Sequence, residues 1–138
     1  MRRRALVAGS LAVEIDVKGY GVSIADGDTL PTSTDGTDFG IVARGATGLV
    51  RTFTVTNTGS GVLNTSGLGI FFTGSSSASS VFSIVEGLSA TLAAGASDTI
   101  TIRLNTSTVG TFTRELRFVT NDPNENPYNF FIKGTVTP

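Results

Sequence analysis

The chain contains no histidine, no cysteine and no tryptophan. Without histidine or cysteine, neither a Ser-His-Asp triad, nor a Cys-His pair, nor a zinc site built on those ligands can form. A disulfide frame is excluded as well, which leaves the redox compartment open. Charge is scarce: Asp, Glu, Lys and Arg make up 15% of residues, against about a quarter in ordinary domains. A net charge of −1 provides no global field to attract nucleic acid or an anionic membrane. No apolar run approaches the ~18 residues of a membrane span. No glycine pattern makes a phosphate loop, because Gly67-Leu68-Gly69 leads into a strand and not a helix. The eleven acids sit mostly in turn sequences, where an aspartate caps its own backbone rather than forming a carboxylate pair for glycoside cleavage. These absences point to a non-enzymatic protein.

What is abundant is Thr (21), Gly (17) and Ser (14) in 138 residues. Thr suits a pleated, half-wet surface, and Gly and Ser suit tight turns. Phe53 and Val55 alternate with Thr52, Thr54 and Thr56 before Asn57 to Gly61 break the run, which is a half-buried strand entering a turn. Ile100, Ile102 and Leu104 alternate with Thr99, Thr101 and Arg103 in the same way. Further strands are expected at 13–17, which Gly19-Tyr20-Gly21 ends or bulges and 22–24 continues, and at 39–42, 62–64, 67–73, 81–85, 88–92, 111–120 and 128–133, with 134–138 as a tail. Arg114 interrupts the apolar face of Phe112, Leu116 and Phe118 and is expected at a strand end or a seam. Phe39, Phe53, Phe82, Phe112, Phe118 and Phe130 are expected in the core. The spacing of about 8–12 residues between strands predicts an all-β sandwich or barrel. It forms one domain over residues 13–138.

Residues 1–12 read as a basic arm carrying Arg2, Arg3 and Arg4. The same stretch offers the outline of a signal peptide, with Ala5 to Ala12 as its apolar part and Ser10-Leu11-Ala12 as its cleavage site. Gly9 and Ser10 dilute that apolar part, which favours the arm. Three arginines without interleaved aromatics make a poor nucleic-acid motif. An arm that orders across a neighbouring subunit suits them better. Arg2, Arg3, Arg4, Leu6 and Val7 are therefore interface candidates. Phe71 and Phe131 join them, since Phe71 or Phe72 must face away from its neighbour, as must Phe131 from Phe130; the competing reading is partial burial at an edge.

Two loops are rich in oxygen ligands. Asp26, Asp28, Asp35 and Asp38 lie in one; Asn121, Asp122, Asn124 and Asn126 lie in the other. Calcium takes six to eight oxygens and such loops can supply them. The competing reading is that Asp-Gly and Asn-Asp-Pro are turn formers through Asx hydrogen bonds. Turn formation is the expectation, with no resident cofactor and calcium as the alternative. Asp122-Pro123 and Asn126-Pro127 shape the entry to the last strand, and either bond is a candidate for the cis form.

Several short words fall in a fixed order. They are Glu14-Ile15-Asp16-Val17-Lys18-Gly19, Thr34-Asp35-Gly36-Thr37-Asp38-Phe39-Gly40, Asn57-Thr58-Gly59, Ala93-Ala94-Gly95, Asn121-Asp122-Pro123-Asn124-Glu125-Asn126-Pro127-Tyr128, and Gly134-Thr135. In this order and spacing the chain resembles the choice-of-anchor D repeat of bacterial surface proteins. That repeat belongs to the ASPM–SPD2–Hydin group of immunoglobulin-like domains. The resemblance implies an immunoglobulin-like sandwich of about seven to nine antiparallel strands, used as a structural or adhesive module, and it brings no catalytic residues. A lone sandwich with a basic arm acts through its surfaces. The expected function is a structural subunit of a large repetitive assembly, such as a virion decoration protein or a surface filament or layer, and a homo-oligomer. The alternative is a secreted adhesion or carbohydrate-binding module. Either role places the protein at a virion surface or outside a cell.

Overall fold

Ser97–Leu104 illustrates how this chain folds. Ile100, Ile102 and Leu104 are fully buried, while Thr99, Thr101 and Arg103 face outward between them. An extended backbone places successive side chains on opposite faces, so a period-two pattern buries itself only as a strand. The computed structural model describes residues 12–71 and 81–138, and the side chains of 66–71 fall outside that description. The strands are β1 (Ile15–Gly19), β2 (Val22–Ser23), β3 (Asp38–Ala43), β4 (Leu49–Asn57), β5 (Leu63–Phe71), β6 (Phe82–Glu86), β7 (Thr91–Leu92), β8 (Ser97–Leu104), β9 (Gly110–Thr120) and β10 (Tyr128–Thr137).

They form two five-stranded sheets, ordered β2-β1-β4-β8-β6 and β3-β10-β9-β5-β7. The inner faces meet through Phe53 and Phe130, whose rings pack edge to face at 5.5 Å, and through Phe39 and Phe82 at 5.2 Å. Each such ring removed from water contributes about 1.5–3 kcal/mol. Tyr128 stacks on Phe118 at 5.6 Å and donates its hydroxyl to the Ile24 carbonyl. Burial holds its phenol well above the ordinary value. Of the six expected core phenylalanines, five are buried and Phe112 is half-buried against the core.

Several expectations change. Val22 does not continue the first strand, because Tyr20 and Gly21 (φ 53° and 75°) reverse the chain into a hairpin between β1 and β2. The two strands expected at 62–64 and 67–73 are a single strand, β5, with a register shift between Ser66 and Gly69. The end of that segment, and the Ser-rich loop after it, lie outside the described residues. The expected tail belongs to β10, which pairs antiparallel with β9 as far as Val136. Its far end pairs with β3 in parallel, Thr135 with Ile41 and Thr137 with Ala43, so the ladder is not wholly antiparallel. Arg114 lies within β9 and not at its end. It remains half-buried because its guanidinium stacks over the Phe112 ring at 5.5 Å and donates to the Thr113 carbonyl. Asn126-Pro127 is cis.

Candidate functional site

The four aspartates of the first loop are used separately, each on backbone close by. Oδ1 of Asp28 accepts from Leu30 N at 2.9 Å, and Oδ1 of Asp38 from Gly40 N at 2.9 Å. Asp35 Oδ1 takes both the Thr37 amide (3.1 Å) and its hydroxyl (2.5 Å). Asp26 Oδ1 accepts from Asn129 N at 3.0 Å and so ties the loop to β10. A short carboxylate that bonds the amide two residues on is an Asx turn. The bonds bend 25–38 around the edge of β10, where Asp28 bridges Phe130, and deliver the chain to β3.

A different set of acids converges at the opposite side of the second loop. Carboxylate oxygens of Glu14, Asp122 and Glu125 lie within 4.8 Å of one another. Asp122 is fully buried, with Oδ2 accepting from Ile15 N at 3.2 Å and Oδ1 from Asn124 N at 3.0 Å. Thr120 closes the loop by donating to the Glu125 carbonyl at 2.7 Å. Burial, together with hydrogen bonds to Asp122 and Glu14 and their negative charge, pushes the Glu125 carboxyl up to about 8. It therefore keeps its proton near neutral pH, which removes one of three crowded charges. Three carboxylates carry six oxygens, and both Asp122 oxygens already hold backbone amides, which leaves four against the six to eight that calcium takes. The cluster works as a clasp between the start of β1 and the β9–β10 turn, held by the bond from Ile15 N to Asp122. Neighbouring Asn121 and Asn126 serve the same turn by accepting from Asn64 N and Thr120 N.

The other predicted surface residues scatter. Phe131 is half-buried on the outer face of its sheet. The ladder sets it opposite Glu115, and Phe71 opposite Glu115 from the far side. Glu115 is held by Arg117 at 3.0 Å and by Asn129 at 2.8 Å, so this part of the face is polar. The Phe71 side chain, and Arg2, Arg3, Arg4, Leu6 and Val7, lie outside the described residues.

Sequence reasoning passed over the edge of the second sheet. Ile41 on β3 is 72% exposed and Leu30, in the loop before it, is 73% exposed. Among the described residues β3 has a hydrogen-bonded strand on one side only. Gly40 (φ 91°) makes a bulge there, and Arg51 donates to the Phe39 carbonyl at 2.9 Å. The same guanidinium lies 5.6 Å from the Phe39 ring and 5.9 Å from that of Tyr20. The signal in the sequence was Phe39-Gly40-Ile41, where a glycine inside a strand pattern marks a bulge that shifts the alternation by one residue.

The model of the HYDIN/CFA65/VesB-like Ig-like domain matches residues 29–135. The chain belongs to this family. The Hydin-type, immunoglobulin-like part of the resemblance seen in the sequence is thereby shown; choice-of-anchor D is not singled out. Solved structures agree on the fold of this Ig-like domain. The ASH/PapD-like domain of human CEP192 matches 99% of this chain with 96% of its own (TM-score 0.59, 11% identity). A Porphyromonas gingivalis W83 protein of unknown function matches over 98% of the chain and 52% of its own (TM-score 0.62, 9% identity). The secreted serine protease VesC from Vibrio cholerae matches over 72% (TM-score 0.54, 20% identity). The chain spans 21% of VesC and about half of the P. gingivalis protein. No curated protein matches in sequence.

Proposed function

We propose that this Ig-like domain works without catalysis, by protein–protein contact, as a repeated unit of a larger assembly such as a virion decoration or a surface filament or layer. The carrying observation is the margin of the second sheet, where Ile41 and Leu30 are turned to solvent beside a strand that, among the described residues, has a neighbouring strand on one side only. A free edge is a template for another chain, and apolar side chains along it add area to such a contact. The absence of histidine and cysteine removes the commonest nucleophile and base pairs. Light scattering across a concentration range tests the reading, with a discrete oligomer or filament expected. A monomer at every concentration that also binds no particle or envelope fraction would overturn it.

A second reading has its own support. The family carries the name of VesB, and VesC, described as a secreted protease, contains a region of this fold. The domain would then be an extracellular module that attaches to a surface glycan or protein. A glycan-array signal from a monomeric sample would favour it over assembly.

A further inference from the structure

We propose that β6 pairs antiparallel with β6 of a second copy of this chain, across a two-fold axis at Ile84; this rests on the assembly reading above and gives it a backbone contact. Strand β6 ends the first sheet, beside β8. Asn105 N donates to the Val81 carbonyl at 2.7 Å, and this pair continues the β6–β8 register. Val81 and Ser83 therefore turn their backbone groups toward β8. In an antiparallel ladder these groups alternate in direction, so those of Phe82 and Ile84 point away from β8. Among the described residues nothing bonds them. The other edges are used or short. On β3, Asp38 N reaches the Thr32 carbonyl and Gly40 N the Asp38 carboxylate, while the Phe39 carbonyl takes Arg51 and the Ala43 carbonyl takes Ala46 N. Strands β2 and β7 have two residues each, too few to template a partner.

The side chains of β6 leave the rim of the core unfinished. Ile84 lies opposite the fully buried Ile102 and so faces inward, yet it stays 38% exposed because no strand follows it in the sheet. A second Ile84 brought against it covers both, and the two residues exchange both N–H···O bonds. Charge selects the orientation. Arg103 stands opposite Ser83 at one end of β6, and Glu86 lies at the other end, opposite Thr101 on the same outer face. Arg103 is exposed, and Glu86 accepts only from threonine hydroxyls, the nearer being Thr99 at 3.2 Å. Neither has an ion-pair partner among the described residues. An edge that is positive at one end and negative at the other is complementary to its own antiparallel copy. The axis brings the partner's Glu86 toward Arg103, two strand spacings or roughly 10 Å away at the backbone, within the joint reach of the two side chains. A parallel pairing would set like charges together. The bulge between Ile84 and Glu86 ends the regular ladder and keeps the contact short.

The absence of cysteine makes the test clean, because in full-length Ile84→Cys protein any thiol-to-thiol link joins two molecules. With a short bifunctional maleimide the linked dimer is expected at about tenfold the yield of Val119→Cys, since docking raises the local thiol concentration. Val119, on β9, is the more exposed of the two at 45%. Adding Glu86→Arg, with the circular dichroism spectrum unchanged, is expected to bring the yield down to that control, and adding Arg103→Glu as well to restore it. Equal yields at the two positions overturn the proposal. So does a yield that the single reversal leaves in place or that the charge swap fails to restore. Light scattering on the intact chain and on Ile84→Lys separates the two levels, with dissociation of the oligomer by Ile84→Lys expected. An oligomer that Ile84→Lys leaves whole overturns the β6 contact and leaves the assembly reading standing. A monomeric intact chain overturns the β6 contact, and overturns both if it also binds no particle or envelope fraction.

Discussion

The two acid-rich loops use the same kinds of residue to different ends. In the 26–38 loop each aspartate satisfies backbone within its own turn or on the adjoining strand, Asp35 from a buried position and the other three from partly exposed ones. In the 121–127 loop Asp122 is fully buried and reaches across to Ile15, drawing Glu125 and Glu14 into one cluster. The difference is one of reach. An aspartate whose amide lies two residues on needs only a local turn, whereas one that bonds a distant strand brings two segments and their charges together. The first loop therefore shapes its own turns, and the second fastens the start of β1 to the β9–β10 turn.

The comparison can be broken most severely at Gly19. A Cβ there would lie 1.8 Å from the Asp35 carbonyl oxygen, so the first loop must move off β1. Gly19→Ala is expected to cost about 3 kcal/mol, read from urea denaturation. Next comes Asp122→Ala, which strands the buried amide of Ile15 and frees Asn124; a loss of about 2 kcal/mol is expected by the same measurement. If Asp122→Ala proved no worse than Asp28→Ala in the first loop, the distinction between a clasp and a local turn would fail.

Glu125 sharpens the contrast through pH. Its folded value of about 8 stands above the ordinary 4.5, so between those values the folded chain holds the extra proton. Stability then falls as pH rises through this window, and the penalty is absent below its lower end. Glu125→Gln is expected to match the parent at pH 4.5 and exceed it by about 1 kcal/mol at pH 8, after allowance for partial solvent screening. Thermal melts across the range check it; a parallel pair of profiles would contradict the raised Glu125 value. The smallest effect is expected from Asp28→Ala, about 0.5 kcal/mol for one exposed turn bond. Melts with added calcium are expected to be unchanged for both loops, because their aspartates are already engaged with backbone.

The strands were largely legible because their signal is local. Phe53 and Val55, or Ile100 to Leu104, declare their inner face over a few residues. Turn formation at Asp28, Asp35 and Asp38 was legible for the same reason, since the bonded amide is two residues away. The clasp was not: Asp122 and Ile15 are separated by 107 positions, and no short window contains both. Ile41 was missed because a bulge at Gly40 shifts the period that the eye follows.

By itself, then, the order of residues determined the strand faces, the tight turns and the exclusion of histidine and thiol chemistry. Each follows from a residue and its near neighbours. The tertiary structure alone decided that the last residues join β3 in parallel, that three acids meet in one cluster, and that among the described residues β3 has a neighbouring strand on one side only. Those outcomes depend on which distant segments come to lie side by side, and that is set by packing the two sheets together, not by any local pattern.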